Sequence, residues 1–564
     1  MDKRAVGQVL EQLAAFLELK GEDPFRVRAY QTAARAIASY PGDPGQAARS
    51  GALALVKGVG PATLEIVGEL FATGRSSALD ELSEQIPPGL VEMLRIPGLG
   101  VAKVRQIHER LGIESLTALE EAAADGRLAK LPRFGLKTAE NVRRGIAFLR
   151  RSTEFRLFHH ALDEALGVQR ALLALEGVLR AEIAGSVRRR REVIRDLDFV
   201  LVHAGGGARD ALVKRLGQAP GVTEFAGKED RQVTLRFASG TVVDVFLATP
   251  DDFGLAWVRA TGATAHVEEL EARMAAAPSG ARFPDEESVY RALALPWIPP
   301  ELREGAGELE AAAGGRLPKL VEPADLRGFL HCHSIYSDGS VTVAEWAEAC
   351  ARAGYEWMGL TDHSQSSAFA GGLKPEDVAR QHAEIDLVNK TSKGIRVLKG
   401  VEADILADGS LDYGPSVLDR FDFVIGSVHS RFAMSEPEMT RRVLRAMDDP
   451  HLAILGHPTG RLLLAREPYA IDLEPVLAQA ADRGIAVEVN ADPHRLDLDW
   501  RMVRRARELG VPISIGADAH SVAGMTNVSV GLGIARKGWL EARQVLNTQD
   551  AEGFLAHAGR RRTA

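Results

Sequence analysis

The stretch FLHCHS at 329–334 and its echo GADAH at 516–520 decide how the C-terminal part of this chain folds. Each ends an apolar run with two metal-type side chains on alternate residues: His331 and His333, then Asp518 and His520. Side chains alternate across a strand, so residues two apart face one way and Cys332 faces the other. Between these stretches come Asp338 in SDG, His363 in TDHS, Glu402 in GVEAD, His429 in GSVHS and His457 in LGHP. Strand candidates at 329–333, 357–361, 395–401, 421–428, 452–456, 485–489 and 511–516 alternate with helical stretches around 343–353, 376–390, 436–448, 472–482 and 499–508. A βαβα alternation calls for a parallel sheet. Seven strands with their chemistry at the C-terminal ends call for a closed or nearly closed barrel. The strand ending near Asn490 carries no such ligand. The segment after it, NADPHRLDL, offers His494 and Arg495 to a substrate, with a solvated His494 as the plainer alternative.

Nitrogen and oxygen donors without a thiolate suit zinc, manganese or iron better than a structural zinc–thiolate site. Such a cation makes a nucleophile of water at neutral pH, and phosphoesters are its usual target. Any one of these histidines alone reads equally well as a buried, hydrogen-bonded core residue. The set, placed at successive strand ends, reads as a metal cluster.

HCHSIYSDGS, TDHS, GVEADI, GSVHS, LGHPTGR, EVNADPHRLDL and IGADAH together resemble the polymerase and histidinol phosphatase (PHP) domain over about 325–564. The resemblance implies a distorted (β/α)7 barrel whose nine ligand positions are all filled and hold up to three ions, Mn2+ or Zn2+. It implies either hydrolysis of small phosphoesters or trimming of DNA 3′ ends. The ligand motif does not separate the two, so the rest of the chain must name the substrate.

A chain of 564 residues exceeds a single core and divides into several domains. Its 46% hydrophobic and 26% charged content is that of a soluble globular protein rather than a disordered one. No run of about twenty apolar residues offers a membrane span. The opening MDKRAVGQVLEQLAAFLELKG is amphipathic and contains acids, unlike a secretion signal. Two cysteines, Cys332 and Cys350, give no disulfide framework and fit a reducing cytoplasm. A net charge of −8 does not advertise nucleic acid, but local basic patches matter more than the sum. Such patches stand at Arg143, Arg144, Arg150 and Arg151, and again at Arg188 to Arg191.

The first 150 residues carry a degenerate repeat: VKGVGPATLEIV (56–67), IPGLGVAKVRQI (96–107) and LPRFGLKTAENV (131–142). Each joins an apolar residue, a glycine turn and an amphipathic helix. The turn glycines permit positive φ and close approach. The first N–H groups of the following helix are unpaired and accept a phosphate. The repeat resembles the helix-hairpin-helix motif, which holds DNA by its backbone without reading sequence. Gly58, Gly60, Gly98, Gly100 and Gly135 are the expected DNA contacts. The third copy has Arg133 at the first glycine position, which leaves open an altered or purely structural turn.

Next comes AEIAGSVRRRREVIRDLDFVLV (181–202). Asp196 and Asp198 lie two apart on an apolar strand and share a face. Asp244 in TVVDVF stands on another. Three convergent carboxylates suit two Mg2+ or Mn2+ ions flanking phosphoryl transfer. Gly185 and Ser186 would donate to a triphosphate and Arg189 would supply charge. With this prefix, and with FRVRAYQTAARAIASYP (25–41) at the front, the first 300 residues resemble a family X DNA polymerase. With the barrel, the whole chain resembles the bacterial family X polymerases that carry a PHP domain. The implied fold is multidomain. It has an all-α helix-hairpin-helix region, an α+β nucleotidyltransferase palm and thumb, and the PHP barrel. The implied boundaries are 1–80 for an N-terminal DNA-end-binding domain, 81–150 for a fingers-like region, 151–249 for the palm and 250–312 for the thumb. A linker at 313–324, announced by the Ala/Gly-rich ELEAAAGGRLPKL, leads into the barrel at 325–564.

Several positions depart from that family's pattern. Arg190 and Arg195 stand where it has glycine, and an arginine beside Asp196 could compete for the carboxylate or crowd a metal. The thumb motif reads Arg259-Ala260-Thr261-Gly262-Ala263, keeping Thr261 and Gly262 as nucleotide contacts but losing the aromatic pair. Val267, Glu271 and Phe246 replace a usual asparagine and two usual arginines. Glu268, Glu269 and Glu271 make the thumb helix acidic where DNA would lie. Ile66 stands where some relatives carry a Schiff-base lysine, so 5′-deoxyribose phosphate removal is not expected. The expected enzyme is a monomeric DNA repair protein with a weakened gap-filling polymerase and a metal-dependent 3′–5′ exonuclease, with cutting at abasic sites left open. Its expected partners are gapped, nicked or recessed DNA and deoxynucleoside triphosphates. Two alternatives stand: a nuclease whose polymerase half mainly holds DNA, and a small-molecule phosphatase with a DNA-binding arm.

Overall fold

The computed structural model describes residues 3–38, 40, 44–96, 98–204, 207–228, 232–275 and 281–561. Ser39 and Pro41 of the N-terminal motif and Pro97 of the second repeat lie outside the described residues. The described chain runs from helices, through a mixed sheet and a second helical group, into a barrel.

The barrel strands are Gly328–Cys332, Trp357–Leu360, Arg396–Asp404, Phe423–Ser427, Leu452–Leu455, Ala486–Asn490 and Ile513–Ala519. They pair in parallel in chain order, and the last pairs with the first, closing the barrel. Nearly every strand residue is buried, as a sheet covered by helices on one side and filled by side chains on the other requires. Trp357 and Phe554 of the C-terminal helix Ala551–Gly559 stack with ring centroids 4.6 Å apart, capping the end where the strands begin. Every expected strand and helix of this region is present.

The five-stranded sheet has the spatial order Val178–Ile183, Leu197–His203, Val242–Ala248, Gln232–Phe237, Val222–Lys228. Its strands Leu197–His203 and Val242–Ala248 are parallel, with Asp198 directly beside Asp244. The N-terminal helices close around their own core, which includes Val67, Val104 and Val142 from the helices that follow the three hairpin turns.

The Ala/Gly-rich segment expected to link thumb and barrel is packed rather than loose. Leu309, Ala312 and Leu320 share a buried core with Trp539 from the barrel side. The Val321 N–H donates to the Leu540 carbonyl at 2.9 Å. The composition read as a linker, and the apolar residues interspersed with the glycines found a surface to bury.

Candidate metal centre and companion carboxylates

The ligand candidates of the barrel converge at the C-terminal ends of its strands. Strand alternation is not what aligns them. His331 and Asp518 both sit at positive φ, 61° and 48°, where the strand register slips. Such bulges re-aim side chains at a barrel rim. His331 and His333 thereby face the same centre, with ring centroids 5.3 Å apart.

Glu402 is the hub. Its Oε2 lies 2.9 Å from His363 Nδ1 and 3.5 Å from His331 Nε2. Its Oε1 lies 2.9 Å from His457 Nε2 and 3.2 Å from His429 Nε2. Asp518 Oδ1 is 3.4 Å from His333 Nε2, and Asp338 Oδ1 is 3.2 Å from His520 Nε2. Three groups have ligand atoms mutually within 4.8 Å: His333, Asp338, His363 and His520; His331, His333 and Asp518; and His363, Glu402 and His429. His331 Nε2, both ring nitrogens of His333, Asp338 Oδ1 and Glu402 Oε2 are buried without a hydrogen-bond partner. Buried polar atoms left unpaired are costly, and cations among these groups would satisfy them. The donor set therefore fits divalent metal.

Charge supports that reading. Burial alone would raise the carboxyls of Asp338, Glu402 and Asp518, but the histidines around them hold all three well below the usual range. Burial and the neighbouring His520 and His363 lower His333 to about 4, so it stays neutral, the ligating form. Burial opposes a charge on His331, but Glu488, Glu402 and Asp518 outweigh it and favour the imidazolium. A bound cation would supply that positive charge instead, with release of the proton.

The sequence reading missed the outer partners that orient these ligands. Glu488 accepts from His331 Nδ1 at 2.5 Å and from the His457 N–H at 2.7 Å. Asp404 pairs with His429 Nδ1 at 2.6 Å. Asn490, the apparent exception among the strand ends, donates to Asp518 Oδ2 at 3.1 Å. The clue was the same positional rule: Glu488 and Asn490 alternate along one strand. Arg495 lies 3.3 Å from Asp518 at the mouth, while His494 is exposed and edges onto His159.

In the mixed sheet, Asp196, Asp198 and Asp244 come together. Burial, then Asp196 and Asp244, push the Asp198 carboxyl up to about 8. Burial and Asp244 raise Asp196 as well. Like charges crowded without a counter-ion behave this way, and a divalent cation would relieve them. Gly185 is required here: it has φ 57°, and a Cβ would fall 1.7 Å from Asp198 Oδ2. The Ser186 hydroxyl is buried without a hydrogen-bond partner. Arg195 is exposed and leans 3.9 Å from Glu154, while its charge still works against the rise at Asp196. Arg190 keeps the glycine-like φ of 57° and lies against Gly533 of the barrel, with its guanidinium over Phe158.

Arg189 is held within the protein. Its Nε meets Glu304 at 2.9 Å and its Nη1 donates to the Thr261 carbonyl at 2.5 Å. The Thr261 hydroxyl accepts from Arg188, whose guanidinium also forks onto Glu286 and lies 3.4 Å over the Trp257 ring. The Gly262 N–H is taken by the Val258 carbonyl. Lys537 of the barrel side, fully buried, joins Glu304 and donates to the Arg189 carbonyl at 3.1 Å.

The three hairpins are alike in detail. A turn hydrogen bond closes each: Val59 to Val56, Leu99 to Ile96 and Phe134 to Leu131. Gly58, Gly98 and Arg133 occupy the same left-handed position, at φ 99°, 79° and 65°. Arg133 thus keeps the turn. Gly60, Gly100 and Gly135 precede the helices with no side-chain cap, leaving early backbone N–H groups open to an anion, although Pro61 removes the first of them in the first hairpin.

A closed barrel with a cluster of metal-type ligands, joined to a sheet with paired aspartates and to backbone-gripping hairpins, defines a metal-dependent phosphoesterase fused to a nucleotidyltransferase. Comparison with known proteins agrees. A helix-hairpin-helix domain model matches residues 1–76, a SAM-like helix-hairpin-helix tandem 90–147 and the PHP domain 330–492. The Bacillus subtilis DNA polymerase/3′-5′ exonuclease PolX is 34% identical over 98% of this chain and 99% of its own. A probable phosphatase of Thermoanaerobacter sp. is 26% identical over 39% of this chain and 89% of its own length. One from Caldanaerobacter subterraneus is 29% identical over 34% and 74%. The chain belongs to the family X DNA polymerases that carry a C-terminal PHP domain.

Proposed function

We propose that the chain is a two-centre DNA repair enzyme whose barrel removes nucleotides from DNA 3′ ends. The single observation that carries this is the convergence of unpaired ligand atoms around Glu402, in a chain whose hairpins present open helix N-termini. His331, His333, Asp338, His363, Glu402, His429, His457, Asp518 and His520 would hold up to three Mn2+ or Zn2+ ions. Such ions, when bound, supply a water acidic enough to attack at neutral pH and polarise the phosphoryl oxygen. Glu488, Asp404 and Asn490 fix the ligands' orientation, and Arg495 offers charge to the phosphate at the mouth. Asp196, Asp198 and Asp244 would hold Mg2+ or Mn2+ for gap filling from deoxynucleoside triphosphates, with Gly185, Ser186, Arg189, Thr261 and Gly262 around the nucleotide. Gly58, Gly60, Gly98, Gly100 and Gly135 would meet the DNA backbone. The enzyme is proposed to act as a cytoplasmic monomer, with domain boundaries near 80, 150, 249, 312 and 324.

The second reading, a nuclease whose polymerase half mainly holds DNA, is favoured by Arg189. Its guanidinium already pairs with Glu304 and Thr261, so a triphosphate must compete for it. Three proteins decide between these readings: wild type, Asp196→Ala/Asp198→Ala and His331→Ala/His333→Ala, on gapped and 3′-recessed duplexes with Mn2+ or Mg2+. Extension lost only in the aspartate variant supports two centres. Trimming lost only in the histidine variant, with no extension by any protein, supports the nuclease. Hydrolysis of small phosphate monoesters alone would point to a phosphatase with a DNA-binding arm.

A further inference from the structure

Glu304 carries one negative charge and meets three cations. Its Oε1 accepts from Arg189 Nε at 2.9 Å and also from Lys537 Nζ. Its Oε2 accepts from Arg191 at 3.1 Å. The Glu304 side chain is almost fully buried and that of Lys537 wholly so. Water therefore screens these contacts little. Arg189 and Lys537 share one oxygen, and each weakens the other's hold on it.

The two cations come from different parts of the chain. The Arg189 N–H donates to the Gly185 carbonyl at 3.1 Å, and Gly185 lies against Asp198. Arg189 thus stands at the edge of the three aspartates. Lys537 ends the helix Asn527–Lys537, which packs on the barrel strand carrying Asp518. The last turn of a helix favours a cation. Its ammonium also donates to the Arg189 carbonyl at 3.1 Å and the Glu301 carbonyl at 3.4 Å. Burial pulls Lys537 down to about 8, and Glu304 works against that fall, so the ammonium is charged at neutral pH. A barrel residue thus reaches the carboxylate that restrains a palm arginine.

We propose that Lys537 is a positioning residue for the nucleotide centre: by sharing Glu304 with Arg189, it keeps the arginine available to the triphosphate of an incoming nucleotide. Without the lysine, Glu304 Oε1 answers Arg189 alone, and a triphosphate must break a stronger pair. The palm's affinity for nucleotide then depends on a barrel side chain that touches no nucleotide. The inference rests on the reading of Asp196, Asp198 and Asp244 as a nucleotide centre.

The test is equilibrium binding of dATP with Mg2+ to the full-length protein. Lys537→Met should raise the Kd about tenfold, the scale on which linked sites couple, and Glu304→Gln should lower it. The double variant Lys537→Met/Glu304→Gln should bind at least as tightly as the wild type, a rescue that mere structural damage would not give. Arg189 and Arg191 still answer Glu304 in Lys537→Met, so that substitution strands no carboxylate. An unchanged Kd in Lys537→Met, or a double variant as weak as Lys537→Met, overturns the inference and leaves the nucleotide centre standing. If Lys537→Met fails to fold, Glu304→Gln decides alone, and a Kd unchanged or raised in it overturns the inference. A wild type that binds no dATP, or binding not weakened in Asp196→Ala/Asp198→Ala, removes the nucleotide reading and the inference with it.

Discussion

Arg259 and Glu271, both departures from the family X thumb pattern, pair with each other at 2.9 Å. The two changes are coupled: one charge answers the other. The pair still stands where the family pattern has an aromatic residue and an arginine, and Val267 where it has an asparagine. Each lost contact costs about 1–3 kcal/mol where its partner goes unpaired. Gap filling is therefore expected with a nucleotide KM roughly a hundredfold or more above that of a family member with an intact thumb. Steady-state extension of a one-nucleotide gap measures it. Equal rates at ordinary nucleotide concentrations would remove this account of the thumb.

Glu488→Gln should weaken the barrel's metal binding by roughly 10- to 100-fold, because the neutral amide orients His331 without supplying the carboxylate's charge. Titration of the metal-free protein with Mn2+ gives the affinity directly. An unchanged affinity would show that His331 needs no such support.

The seven strands, and the convergence of the nine ligand candidates, were legible because an apolar strand with a polar end recurs between amphipathic helices. Glu488 and Asn490 were not, since a carboxylate or amide at a strand end looks the same whether it meets a metal or a ligand's far side. The bulges at His331 and Asp518 were hidden too: alternation led to the right neighbours by the wrong geometry. The direction taken by Arg195 was hidden as well. Adjacency to Asp196 in sequence suggested crowding, but only the local backbone decides which way a long side chain leaves the strand. The ion pairs of Arg188 and Arg189 reach 98 and 115 residues away, to Glu286 and Glu304, and no local pattern contains them.

Acid should loosen the contacts between the mixed sheet and its neighbours before neutral conditions do. Burial alone would raise Glu286 and Glu304, but Arg303 and Arg188 hold the first at about 2, and Lys537, Arg189 and Arg191 hold the second at about 2. Both folded values lie below the ordinary glutamate value of about 4.3. Their stabilisation is thus complete above that value and lost as pH falls toward about 2. Denaturant midpoints measured from pH 6 down to pH 2.5 should fall through this window. Glu286→Gln should flatten part of the decline and cost about 3–5 kcal/mol at neutral pH, since it strands the buried Arg303.

Arg133→Gly should stabilise the N-terminal region by about 1 kcal/mol, because a side chain at φ 65° carries a steric cost that glycine avoids. Chemical denaturation followed in that region reads the change. A loss of stability would mean that the arginine side chain earns its place by a contact stronger than the strain.

Ile66 is buried in the helix Pro61–Thr73, and no lysine lies between 61 and 70. Borohydride treatment with an incised abasic substrate should therefore leave no covalent adduct on this helix. A trapped peptide from it would contradict the assignment.

Trp539 sits in one apolar core with Leu309 and Leu320, and the barrel's own backbone binds the incoming chain at Val321. A break near residue 325 would leave a tryptophan uncovered on one fragment and a strip of leucines on the other. Either fragment alone would therefore show water an apolar strip that the intact chain hides.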